Sequence, residues 1–191
     1  MAAHKDKGDK HFPLFAHDNP FRRLFTPPRR LVGPFVAKGQ AVADLGCGPG
    51  FYTIPLAECV GSGGKVYAVD SDEKAIRAVE KKAGEGGLGN IETRISSAGD
   101  LGFIKDETVD FILAHGLLCS MTPGARDSAV SEIKRILKPG GRAYISVAKG
   151  PWSYVSRADW KEILDGFRVE RKGSQGFVIA DRWAVVSLKT R

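Results

Sequence analysis

Short apolar runs alternate along this chain with stretches in which apolar residues return every three or four positions. "AVADL" at 41–45 reads as a strand, "YTIPLAECV" as a helix and "KVYAV" as a strand; "DEKAIRAVEKKAG" places Ala75, Ile76 and Val79 on one helical face. "IETRI" is the next strand. After a loop come the strand "VDFILA", the helix "ARDSAVSEIKRIL" closed by "KPGG", and the strand "RAYISVA". Repeated strand–helix–strand alternation predicts an α/β fold, a parallel sheet with helices on both faces. Beyond it, "RADWKEILDG" is helical, and "FRVERKG" and "DRWAVVSLK" are close enough to pair antiparallel. No internal repeat is visible. Residues 1–11 read as a disordered tail and 12–191 as a single domain.

Composition narrows this picture. With 191 residues, 42% hydrophobic and 27% charged, the chain is long enough for one domain with a sizeable core. No run approaches the roughly 18 apolar residues of a membrane span, and "MAAHKDKGDKH" lacks the apolar centre of a signal peptide, so a cytoplasmic protein is expected. Cys47, Cys59 and Cys119 are odd in number and show no C-x-x-C pair, which argues against a disulfide framework or a conventional zinc site. The net charge of +7 is uneven: residues 1–40 hold eight basic against three acidic residues, 134–191 thirteen against five, and the middle is acidic. Basic ends suit an anionic partner such as RNA, but solvated surface lysines and arginines give the same count. Aromatics do not interleave them as a stacking platform would require.

The candidate chemistry starts at "VADLGCGPGFYT", 42–53, where an apolar strand ends on Asp44 and is followed by Gly46, Gly48 and Gly50. Glycines at that density mark a sharp turn or a close approach that a Cβ would block. In a doubly wound sheet the ligand crevice lies outside the carboxyl ends of the strands, where strand order reverses. Asp70 closes "KVYAVD" and is aimed into the same crevice, where a carboxylate can accept hydrogen bonds from both hydroxyls of a ribose. Asp70 as the N-cap of "SDEKAIRAVEKK" is the structural alternative. A dinucleotide site uses G-x-G-x-x-G, whereas the spacing here is G-x-G-x-G with an acid two residues before it. A phosphate would be repelled by Asp44; an ammonium would be held by it, directly or through water. A ligand with a ribose and an α-ammonium but no phosphate, such as S-adenosyl-L-methionine, satisfies both acids.

Together "DLGCGPG", "VYAVDSD", "VDFILAHG" and "ILKPGGRAYISV" closely resemble the class I S-adenosylmethionine-dependent methyltransferases, in particular the small type 11 and ubiquinone-biosynthesis-like group. The resemblance covers roughly residues 40–148. It implies a Rossmann-like, doubly wound sheet of seven strands, mostly parallel with an antiparallel last strand. It also implies that Asp44 and the Gly46–Gly50 loop, with Cys47 as a small residue within it, line the methionine end of the cofactor. Asp70 would bind the ribose, and Ser71 would lie beside the adenine. One block departs: where the family often has G-D-A, this chain has Ser97 and Ala98, and Asp100 comes two residues late. Either Asp100 reaches the adenine from a bulged loop or backbone groups near Ala98 read it. The backbone is the preferred reader, since it offers donors and acceptors as a carboxylate does.

Methyl transfer from a sulfonium is a displacement, so the protein's task is chiefly to align the acceptor and exclude water. If the acceptor must lose a proton, the candidate base is His115, which follows "VDFILA" where this fold presents groups to the acceptor; a pocket wall is the alternative. "AHGL" lacks the Asn/Asp-Pro-Pro-aromatic motif of relatives that methylate amino groups of adenine or glutamine. The segment 12–38, with five phenylalanines, and "GPWSYVSRADW", with Trp152, Tyr154 and Trp160, are candidates for a lid. The equal alternative is that the phenylalanines pack the segment onto the sheet edge. A methyltransferase acting on a small-molecule or exposed macromolecular acceptor leads. RNA or protein methylation using the basic ends, or a non-catalytic cofactor-binding module, are the other readings.

Overall fold

The computed structural model describes residues 28–148, 153, 155–175 and 181–189. Seven strands form one sheet: β1 (Ala41–Leu45), β2 (Lys65–Asp70), β3 (Ile91–Ile95), β4 (Val109–His115), β5 (Leu137–Ala148), β6 (Arg168–Gln175) and β7 (Asp181–Ser187). Their order is β3-β2-β1-β4-β5-β7-β6. The strands are parallel except β7, which runs antiparallel to both neighbours, β5 and β6. The antiparallel last strand is thus where the sequence placed it.

Side-chain alternation assigns the faces. Val42, Val66, Phe111, Leu113, Tyr144 and Val185 point to one side, where they meet Leu56, Ala57 and Val60 of helix α2 (Thr53–Val60). Helix α3 (Glu73–Glu85) joins that face through Ile76 and Val79, which pack with Ala68. Ala43, Leu45, Val69, Ile112 and Ala114 point to the other side, toward Ala129 and Ile133 of α4 (Pro123–Ile136) and Ile163 and Leu164 of α5 (Arg157–Asp165). Crossovers through α2 and α3 step the chain outward in one direction from β1, and the crossover through α4 steps it in the other. Strand order therefore reverses between β1 and β4, the switch point beside which a doubly wound sheet places its ligand crevice.

Two local differences from the sequence expectations have physical causes. "KPGG" does not merely close α4: the strand already begins at Leu137, which pairs with Val109, and the register shifts before regular pairing resumes at Phe111 and Arg142. Gly140, at φ 79°, lies within this irregular stretch. Asp70 is not the cap of α3; Asp72 is, its carboxylate accepting from Lys74 N at 2.8 Å.

Of the proposed lid, residues 12–27, Trp152 and Tyr154 lie outside the described residues. The described end forms the short helix α1 (Pro28–Val32) and a 3-10 turn (Gly33–Phe35). Val32 is buried among Leu56, Ala57 and Val60, and Phe35 stacks on Phe111 with ring centroids 5.6 Å apart. Trp160 packs on the opposite face, against the cluster shared by α4 and α5.

Candidate active site

The strand β1 delivers Asp44 to the crevice floor with only 3% of its surface exposed. The first turn of α2 answers it: Thr53 Oγ1 donates to Asp44 Oδ2 at 2.7 Å. Burial raises the carboxyl to about 7, the Thr53 hydrogen bond works against that rise, and the neighbouring Asp70 carboxylate adds to it. Among the described residues no lysine or arginine pairs with Asp44.

The glycine loop is folded back against β2. Gly46 and Cys47 N–H groups both donate to the Val69 carbonyl, at 2.8 and 3.0 Å, and Gly50 N–H donates to the Cys47 carbonyl at 3.1 Å. At Gly46 only glycine serves: φ is +70°, and a Cβ would lie 2.8 Å from Cδ1 of Leu117 in the loop after β4. Leu117 thus packs directly over the Gly46 backbone. Gly48, at φ +51°, turns its N–H onto Asp70 Oδ2 at 2.8 Å, and no heavy atom lies within 4 Å of where its Cβ would project. The loop is therefore open at Gly48, whereas at Gly50 a Cβ would lie 3.2 Å from Cγ2 of Val79. Lys82 of α3 supports it from behind, donating from Nζ to the Pro49 carbonyl at 2.6 Å.

Asp70 ends β2 half-buried. Its Oδ1 accepts from Asp72 N at 2.9 Å, so two backbone N–H groups fix the carboxylate plane. Each oxygen keeps acceptor capacity for a hydroxyl. Ser71 is exposed beside it. Across the register, Ser96 N–H donates to the Asp70 carbonyl at 3.0 Å, which starts the next loop at the crevice edge. In that loop Ser97 is exposed and Ala98 buried, and Asp100 N–H donates to the Ser97 carbonyl at 3.0 Å in a tight turn. The Asp100 side chain is exposed.

His115 ends β4 on the same face as Phe111 and Leu113. Its ring lies 5.0 Å from Tyr52 and 6.2 Å from Tyr144, nearly parallel to the latter, and Tyr144 stacks in turn on Trp183 at 5.9 Å. A row of rings thus runs from the glycine loop to β7. The sequence reading chose His115 and missed Tyr52, Tyr144, Thr53 and Leu117; the ring row depends on the β4–β5–β7 register, which no local pattern reveals.

The three cysteines do not form a nucleophilic centre. Cys47 is buried beside both carboxylates, and burial first, then Asp44 and Asp70, push its thiol well above the usual range. Cys119 donates to the Gly116 carbonyl at 3.1 Å, and burial raises its thiol as well. Neither is poised as a thiolate. No helix among the described residues is long and apolar enough to cross a membrane.

Residues 42–141 match the family model described as a methyltransferase domain. Over 107 residues the chain is 36% identical to a demethylmenaquinone methyltransferase of Geobacillus stearothermophilus, covering 56% of this chain and 44% of that protein. Over 122 residues it is 31% identical to a nocamycin O-methyltransferase of Saccharothrix syringae, covering 64% and 41%. The chain therefore spans less than half the length of these curated relatives. A crystal structure of a SAM-dependent methyltransferase from Aquifex aeolicus superposes with a TM-score of 0.78 at 29% identity, over 93% of this chain and 100% of that one.

Proposed function

The chain belongs to the methyltransferase-domain family, and from that premise we propose that it transfers a methyl group from S-adenosyl-L-methionine to a small-molecule acceptor. One observation carries the cofactor assignment. Asp70 and Asp44 stand on either side of a glycine loop that is open at Gly48, and no described cation neutralises Asp44. Two carboxylates at that loop would repel a pyrophosphate. They suit a ligand that brings hydroxyls to one and an ammonium to the other.

When bound, the sulfonium supplies a methyl carbon open to direct displacement. The chain's own residues do the rest. Asp70 accepts from the ribose hydroxyls with its plane already set by Gly48 and Asp72. Asp44 balances the ammonium, and the backbone near Ala98 reads the adenine. Tyr52, His115 and Tyr144 wall the side where the acceptor enters and exclude water from it. His115, its ring oriented between two tyrosines, takes the proton an acceptor must lose. The small acceptor is supported by relatives named for demethylmenaquinone and nocamycin methylation and by the absence of an inserted domain within 28–148.

The test is transfer of labelled methyl from the cofactor into fractionated cell extract. Label in the small-molecule fraction is expected. Label in RNA or protein would overturn the acceptor class, and saturable cofactor binding with no transfer into any fraction would favour the binding module.

A further inference from the structure

No helix joins β3 to β4; residues 96–108 cross as a loop, yet it is bound at many points. Its start hangs on the Asp70 carbonyl through Ser96, and its end on the Arg135 and Ile136 carbonyls, which accept from Glu107 and Thr108 at 2.9 Å each. Between these ends the guanidinium of Arg135 on α4 does most of the holding. Nη2 donates to the Leu101 carbonyl and Nη1 to the Ile104 carbonyl, both at 2.9 Å, and Nη1 reaches Asp106 Oδ1 at 2.6 Å. Glu132, one turn earlier, receives Arg135 Nε at 2.7 Å and Nη2 at 2.8 Å and accepts from Leu101 N–H at 2.7 Å. Leu101 and Ile104 side chains are fully buried beneath, and Gly99 sits so close to α4 that a Cβ would lie 2.9 Å from Cβ of Ser128.

A planar fork serving two carbonyls and two carboxylates at once fixes orientation in a way a point charge cannot. Ser97 and Ala98 lie between the anchor at Asp70 and the anchor at Leu101. We propose that Arg135, paired with Glu132, is a positioning residue for the nucleoside side of the crevice. It holds the loop carrying Ser97 and Ala98 in register with Asp70, and so sets affinity for the adenosine part of the ligand and not for its amino-acid part. The proposal rests on the cofactor assignment above.

Calorimetric titration of wild type, R135Q, R135K and E132Q with S-adenosylhomocysteine and with 5′-methylthioadenosine, which lacks the amino-acid portion, tests it. R135Q should weaken both ligands by the same factor, on the order of ten-fold, because it leaves loop acceptors unpaired. R135K should not rescue it. Hydrogen exchange at amides 99–106 should accelerate while that at 46–50 stays unchanged. Should R135Q not fold, R135K and E132Q carry the same comparison. A folded variant with a lowered melting temperature but both affinities within two-fold of wild type would overturn the proposal, leaving Arg135 a purely stabilising residue. A wild type that binds neither ligand would instead remove the cofactor assignment, and this inference with it.

Discussion

On the β1–β2 side of the crevice the groups are a glycine loop, whose N–H groups already donate to Val69, Asp70 and Cys47, and two carboxylates, held by bonds of 2.7–3.1 Å within a few residues of the strand ends. On the β4–β5 side they are rings, Tyr52, His115, Tyr144 and Trp183, brought into a row by three different strands and a loop. The first side is a fixed polar template suited to one ligand of set chemistry. The second is a wall of rings, two of which, Tyr52 and Tyr144, also belong to the core packed on α2. A scaffold divided this way keeps its cofactor while changing its acceptor.

The sharpest test of the division is His115. If the acceptor side takes a proton as well as aligning, His115→Ala should lower turnover by about 10²–10⁴-fold while leaving cofactor affinity within two-fold of wild type. Loss of only a few-fold would reduce His115 to a wall. Asp70→Ala comes next: it removes a charge-assisted contact and should weaken cofactor binding by about 1–3 kcal/mol, with the acceptor's KM little changed. An unchanged dissociation constant in the folded variant would place the ribose elsewhere.

Asp44 gives a smaller, pH-dependent effect. Its folded carboxyl sits at about 7 against an ordinary 3.8, so between those values the folded state holds a proton that the unfolded state has lost. Stability contributed at low pH is therefore lost as pH rises from near 4 to near 7, and above that the penalty is complete. Asp44→Asn should raise stability at pH 8 and change it little at pH 4, as read by denaturant unfolding. The same change should weaken cofactor binding at pH 8. In the wild type affinity should improve as pH rises through 7, since an ammonium pairs with the ionised form, and the Asn variant should lose that dependence.

The template side was legible in the sequence because its logic is local. Asp44 and the three glycines fall within seven residues, and Asp70 ends an apolar strand. Even there, Thr53 escaped notice, since its hydroxyl matters only once α2 turns back over β1. The capping role weighed for Asp70 belongs to Asp72, two residues on, because Asp70 is still in the strand and its oxygens accept from Gly48 and Asp72 N–H groups. The ring row was not legible: Tyr144 and Trp183 reach His115 only through the register of β5 on β4 and β7 on β5. Nor was the role of Arg135 legible. Its partners lie 31 and 34 residues away in sequence, and nothing in "SEIKRIL" announces them.

On the reading proposed above, the two carboxylates and the glycine loop select a ribose-and-ammonium ligand over a pyrophosphate one. Calorimetric titration of the purified chain with S-adenosyl-L-methionine, S-adenosylhomocysteine and NAD measures that selection directly. Saturable one-to-one binding of the first two is expected, and none of NAD at millimolar concentration. Preference for NAD, or no binding of the first two, would contradict it.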